Sequence, residues 1–126
     1  MLETIRHLDY IILLCDDLAR MRHFYHEVMR FPVYHESATW IELRVGSVLL
    51  TLRLRGRLYD GPSFQPHSAG VQLAFRVAPA QVDDCYAELN QHGVEILSPP
   101  TSHDYGHRTL FFKDPEGNVL EIYADI

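Results

Sequence analysis

Residues 8 to 15 (LDYIILLC) form a short apolar run rich in isoleucine and leucine, bounded by Asp16 and Asp17. A continuous run of that length predicts a buried strand. A helix should follow at once. Asp16 or Asp17 can cap it, and Leu18, Met21, Phe24 or Tyr25, Val28 and Met29 recur at helical spacing until Pro32 ends it. Three extended runs come next, around Val33 to His35, Thr39 to Val45 and Val48 to Leu54, with Gly46-Ser47 joining the last two as a hairpin. Residues 56 to 70 (GRLYDGPSFQPHSAG) are crowded with Gly, Pro and Ser and read as a connection.

The pattern then begins again. Residues 71 to 77 (VQLAFRV) read as a strand, Pro79 suits a first helical turn, and Val82, Cys85, Tyr86 and Leu89 form one apolar face before Gly93 closes the helix. Val94 to Leu97, Arg108 to Lys113 and Val119 to Ala124 supply three more extended runs, with Asp114-Pro115-Glu116-Gly117 as the turn between the last two. Each half is strand, helix, strand, strand, strand. Laying the second half on the first puts Tyr10 on Gln72 and Phe24 on Tyr86, and setting Gly46 on Gly117 puts Leu50 on Glu121. A repeat of this kind predicts two copies of one supersecondary unit. A ferredoxin-like sandwich whose halves merely share a period is the alternative.

Composition narrows the reading. With 126 residues and 47% hydrophobic content the chain can bury one real core, so a single domain is expected, with a first module over about 5–55, a linker over about 56–70 and a second module over about 71–126. The net charge of −6 argues against nucleic acid and against an anionic membrane surface as partners, and it suits a neutral or cationic ligand. Cys15 and Cys85 sit in apolar periodic segments, as small buried hydrophobes do, which points to a cytoplasmic protein. The opening MLETIRHLDY has no signal-peptide pattern, and no run of 18 apolar residues occurs.

Two stretches carry a family resemblance. LDYIILLCDDLARMRHFYHEVMRF resembles the opening of the vicinal oxygen chelate superfamily of glyoxalases, bleomycin-resistance proteins and extradiol dioxygenases: a strand ends at Asp-Leu, and a helix carries the Phe24-Tyr25 pair. A Leu-Gly-Phe-like close follows, here Met29-Arg30-Phe31 without the usual Gly. YGHRTLFFKDPEGNVLEIYADI is more diagnostic, with Tyr105-Gly106, Arg108, Phe112, Asp114 to Asn118 and Glu121 where that family would place them. The resemblance implies an α+β fold of two βαβββ modules whose curved mixed sheets enclose a cavity, helices outside, and a homodimer.

The same resemblance implies four inward positions for a divalent ion in metal-dependent members. They fall on Tyr10, Leu50 (or Thr51 if the register slips by one), Gln72 and Glu121. A divalent cation needs several oxygen or imidazole donors converging at roughly 2 to 2.5 Å. Glu121 is a good one, Gln72 offers a neutral carbonyl, Tyr10 is a poor ligand while protonated, and Leu50 offers nothing. No functional metal or other cofactor is therefore expected there, a rebuilt divalent site being the alternative. Of the eight histidines, His103 and His107 flank a loop expected near the cavity mouth, His7 precedes the first strand and His67 lies in the linker. His23, His26, His35 and His92 read as surface groups.

Strand alternation gives Glu121 the company of Val119 and Tyr123, Gln72 that of Ala74 and Arg76, and Tyr10 that of Ile12 and Leu14; Leu50 goes with Val48, Leu52 and Leu54. The expected pocket is mostly apolar, with Tyr10, Gln72 and Glu121 as polar groups, joined by Trp40, His103 and Arg108. Each has a plainer role: Trp40 as a core anchor, Arg108 as partner of Glu121 or Asp104, Tyr10 and Gln72 as partners of one another or of Glu121. Glu121, if buried without a cation, would have a raised pKa and could act as a base. The sequence thus favours metal-independent binding or sequestration of a small molecule. The competing class is an enzyme, lactoylglutathione lyase-like or dioxygenase-like, with Glu121 as base or metal ligand.

Overall fold

The computed structural model describes residues 1–62 and 71–126. The chain divides into two compact units, Met1–Ser63 and Phe64–Ile126. His67 and the rest of residues 63–70, the latter part of the expected linker, lie outside the described residues.

The first unit runs β1 (Tyr10–Cys15), α1 (Leu18–Arg22), a π-helical segment (His23–Val28), β2 (Val33–Glu36), β3 (Trp40–Val45) and β4 (Val48–Leu54). Its sheet has the order β1-β4-β3-β2, with β1 parallel to β4 and the other pairs antiparallel. Asp17 caps the helix, its carboxylate accepting the Arg20 backbone N–H at 3.0 Å. The expected single α-helix instead widens after Arg22, where the Met29 N–H reaches the Phe24 carbonyl five residues back. Arg30, standing in place of the usual Gly, takes the left-handed conformation at φ 62° that closes the helix. Gly46 at φ 59° occupies the first central position of the two-residue turn between Val45 and Val48, as a type II′ hairpin requires.

The second unit repeats the order with β5 (Gln72–Arg76), α2 (Gln81–Gln91), β6 (Ile96–Ser102), β7 (His107–Lys113) and β8 (Val119–Asp125), its sheet ordered β5-β8-β7-β6. The β6 strand is longer than the sequence suggests because Pro99 and Pro100 are tolerated at a sheet edge, where the register to β7 is irregular. The Asp114 to Asn118 motif builds the hairpin. The buried Asp114 carboxylate accepts the backbone N–H groups of Glu116 and Asn118 and the Asn118 side-chain amide, and Gly117 turns the chain at φ 95°.

In each unit one sheet face is buried under a helix. Leu13, Cys15, Ile41, Leu43, Leu50 and Leu52 are buried with Met21, Phe24 and Tyr25 of the first helical segment; Leu110, Phe112, Leu120, Ile122 and Ala124 are buried with Val82 and Leu89 of α2. Two four-stranded mixed sheets, each with its crossover helix, make this an α+β fold of two βαβββ units. Among the described residues no helix is long and apolar enough to cross a membrane.

Candidate functional site

Directly paired residues on neighbouring strands share a face, so the ladders fix what lies opposite each helix. In the first unit Tyr10 pairs with Leu49, Ile12 with Thr51 and Leu14 with Arg53, while Trp40, Glu42 and Arg44 of β3 pair with Arg53, Thr51 and Leu49. In the second, Gln72 pairs with Val119, Ala74 with Glu121 and Arg76 with Tyr123. Since Leu49 and Val119 answer the equivalent residues Tyr10 and Gln72, the counterpart of Glu121 is Thr51. Leu50 does not join this face. It pairs with Ile11 and Leu43, is buried on the helix side, and serves the core.

The first unit's face is aromatic and polar together. Rings of Tyr10 and Trp40 lie 6.4 Å apart at 59°. The Trp40 indole N–H donates to the Glu42 carboxylate at 2.9 Å, and Glu42 is only 8% exposed. Beside it the Thr51 hydroxyl, wholly buried, has no hydrogen-bond partner among the described residues. An unpaired buried hydroxyl costs about 1–3 kcal/mol. Arg53 on the same face is engaged by Asp60, to which it donates two hydrogen bonds of 3.0 and 2.6 Å. That guanidinium, with the Gly56 and Arg57 N–H groups, holds the Asp60 carboxyl far below the usual carboxylate range and ties down residues 56 to 60.

At the hairpin end the same face opens into a cavity of about 240 Å³ lined by Asp9, Tyr10, Tyr34, Arg44, Gly46, Ser47, Val48 and Leu49. The Arg44 guanidinium stacks 4.5 Å over the Tyr34 ring. Glu42 and Arg44 escaped the sequence reading although the signal was present: Trp40, Glu42 and Arg44 alternate with Ile41, Leu43 and Val45, so the polar members of β3 had to share Trp40's side.

The second unit's face is more open. Gln72 is exposed and Glu121 half-exposed, and neither has a hydrogen-bond or ion-pair partner among the described residues. Glu121 is thus not the buried carboxyl that the sequence led one to expect of a base. His103 does reach this face, its Nε2 lying 2.8 Å from the Thr109 hydroxyl, and Thr109 pairs with Tyr123. Arg108 does not: paired with Ala124 on the helix side, it forms a two-pronged ion pair with Asp83 of α2 rather than meeting Glu121 or Asp104. The Asp83 carboxyl is lowered in consequence. His107 pairs with Asp125 at 3.2 Å within β7 and β8 rather than in a loop, and His26 bonds the Phe31 carbonyl at 2.8 Å.

The residues at the four positions that the resemblance implies are Tyr10 and Thr51 in one unit and Gln72 and Glu121 in the other. A phenol, a hydroxyl, an amide and one carboxylate do not fit a divalent cation. Among the described residues no group of three or more His, Cys, Asp or Glu is arranged to hold one.

Comparison with known proteins agrees with the fold. The model of the Glyoxalase/Bleomycin resistance protein/Dioxygenase superfamily matches residues 7–122. The uncharacterized protein YwkD of Bacillus subtilis is 34% identical over 133 residues, with 98% of both chains covered. Metallothiol transferase FosB of Staphylococcus saprophyticus is 23% identical, with 98% of this chain and 78% of that protein covered. A crystal structure of a glyoxalase/bleomycin resistance protein/dioxygenase from Nocardioides superposes with a TM-score of 0.83 at 20% identity, covering 97% of this chain and 85% of that one, a likeness of fold alone.

Proposed function

Because the chain belongs to the glyoxalase/bleomycin resistance protein/dioxygenase superfamily, whose shared fold leaves the activity to the site, we propose that it binds a small, partly apolar molecule bearing an ammonium group, without a metal. The observation that carries this reading is the Trp40–Glu42–Thr51 arrangement. An ammonium placed over the Tyr10 and Trp40 rings gains from their negative faces, and a mostly buried carboxylate beside it supplies the counter-charge. The Thr51 hydroxyl offers a further polar contact at no cost of breaking an existing bond. The net charge of −6 favours the approach of such a guest.

Titration calorimetry in EDTA with phenethylammonium, using wild type, Glu42→Gln and Glu121→Gln, tests the reading. Binding should survive EDTA and Glu121→Gln and weaken about tenfold or more in Glu42→Gln. Loss of binding on chelation, or indifference to Glu42, contradicts it.

One observation favours an enzyme instead: the Glu121 carboxylate is half-exposed and unpartnered, as a base awaiting substrate would be. On that reading Glu121→Gln abolishes turnover of a carbonyl substrate while leaving affinity nearly intact.

A further inference from the structure

The cationic-guest reading uses Tyr10, Trp40, Glu42 and Thr51 and leaves the hairpin cavity unexplained. Tyr10 belongs to both: its ring neighbours Trp40, and it lines the cavity together with Arg44 and Tyr34. Arg44 is exposed, and among the described residues no carboxylate pairs with it, Asp9 of the same cavity included. Its guanidinium lies over the Tyr34 ring, 4.5 Å from the centroid, and among the described residues its N–H groups donate to no side chain. A fixed guanidinium fork is the geometry that takes a carboxylate with two parallel hydrogen bonds.

Resting on the proposed function, we infer that the guest is amphoteric: its ammonium sits at Glu42 and its carboxylate is taken by Arg44 in the hairpin cavity. Glu42 and Arg44 lie two residues apart on one face of β3, a backbone spacing of roughly 7 Å. Two charge-assisted hydrogen bonds of roughly 2.8 Å leave room between such groups for the head of an amino acid. The Tyr10 and Tyr34 rings favour an aromatic body. Asp9 also lines this cavity, and a negative residue there disfavours a dianion such as phosphate more than a monoanion.

Three probes separate the parts: phenylalanine, phenethylamine, which lacks the carboxylate, and 3-phenylpropanoate, which lacks the ammonium. Their affinities are read by calorimetry and by fluorescence of Trp40, the chain's single tryptophan, in wild type, Glu42→Gln and Arg44→Gln. Phenylalanine should bind tightest, and Arg44→Gln should weaken it and phenylpropanoate about tenfold while changing phenethylamine less than about twofold. Inorganic phosphate should not displace it. If phenylalanine binds no tighter than phenethylamine, or Arg44→Gln weakens all three alike, the inference falls while the cationic reading stands on the amine's dependence on Glu42. If phosphate displaces phenylalanine through Arg44, the cavity is a general oxyanion site and the inference falls. Failure of all three probes to bind overturns both.

Discussion

Thr51 and Glu121 hold the same ladder position in the two units, and so do Glu42 and Phe111, yet the chemistry is exchanged. In the first unit the carboxylate lies on β3 opposite a hydroxyl; in the second it lies on β8 opposite a phenyl ring. The helix-facing sides differ far less, with Leu43 answering Phe112, Leu50 answering Leu120 and Leu52 answering Ile122, all buried. The core of a repeat is held to apolar volume by packing, whereas the opposite face is free to change charge. Looking for a metal set at equivalent positions of both units therefore misses the first unit's carboxylate by one strand.

The largest expected effect belongs to the helix-facing core of each unit. Leu50→Ala and Leu120→Ala should each cost about 2–5 kcal/mol in denaturant unfolding, because both empty a filled core position. A near-neutral Leu50→Ala would return Leu50 to the open face.

Asp60 comes next. Its folded-state pKa is depressed by Arg53, so its contribution is present above the unfolded carboxylate value of about 3.9 and lost as pH falls toward the folded one. Asp60→Asn should lower the melting temperature by a constant amount from pH 5 to pH 8, the gap to wild type closing below about pH 4. A gap that widens in acid would contradict the assignment.

Thr51→Val should raise stability by about 1–3 kcal/mol by removing an unpaired buried hydroxyl, while Glu121→Gln, on a half-exposed carboxylate, should stay within about 0.5 kcal/mol of wild type. Equal effects at these two positions would erase the difference between the faces. Smallest of all, Arg108→Ala should cost about 1 kcal/mol or less, since its ion pair with Asp83 is exposed, and should leave phenethylammonium affinity unchanged.

The paired βαβββ organisation was legible because apolar runs, caps and turn residues all act locally: Asp17 caps, Gly46 and Gly117 turn, and Asp114 organises its own hairpin. The register between β1 and β4 was not, because aligning Gly46 with Gly117 equates turns of different construction, and one residue of slip sends Leu50 to the core and Thr51 to the site. Arg108 was misplaced for a related reason. Its partner Asp83 is 25 residues away on α2, a distance no local pattern reports. Glu42, by contrast, is legible in the alternation of Trp40, Glu42 and Arg44 with Ile41, Leu43 and Val45 along β3.

The proposed seat of the ligand is the first unit's sheet face opposite its helix rather than Glu121, and nitrogen-15 chemical-shift titration with phenethylammonium in EDTA distinguishes the two. Saturable shifts at the Trp40 indole N–H and the Glu42 and Thr51 amides are the predicted result; shifts confined to Glu121, Tyr123 and His103 would contradict the account.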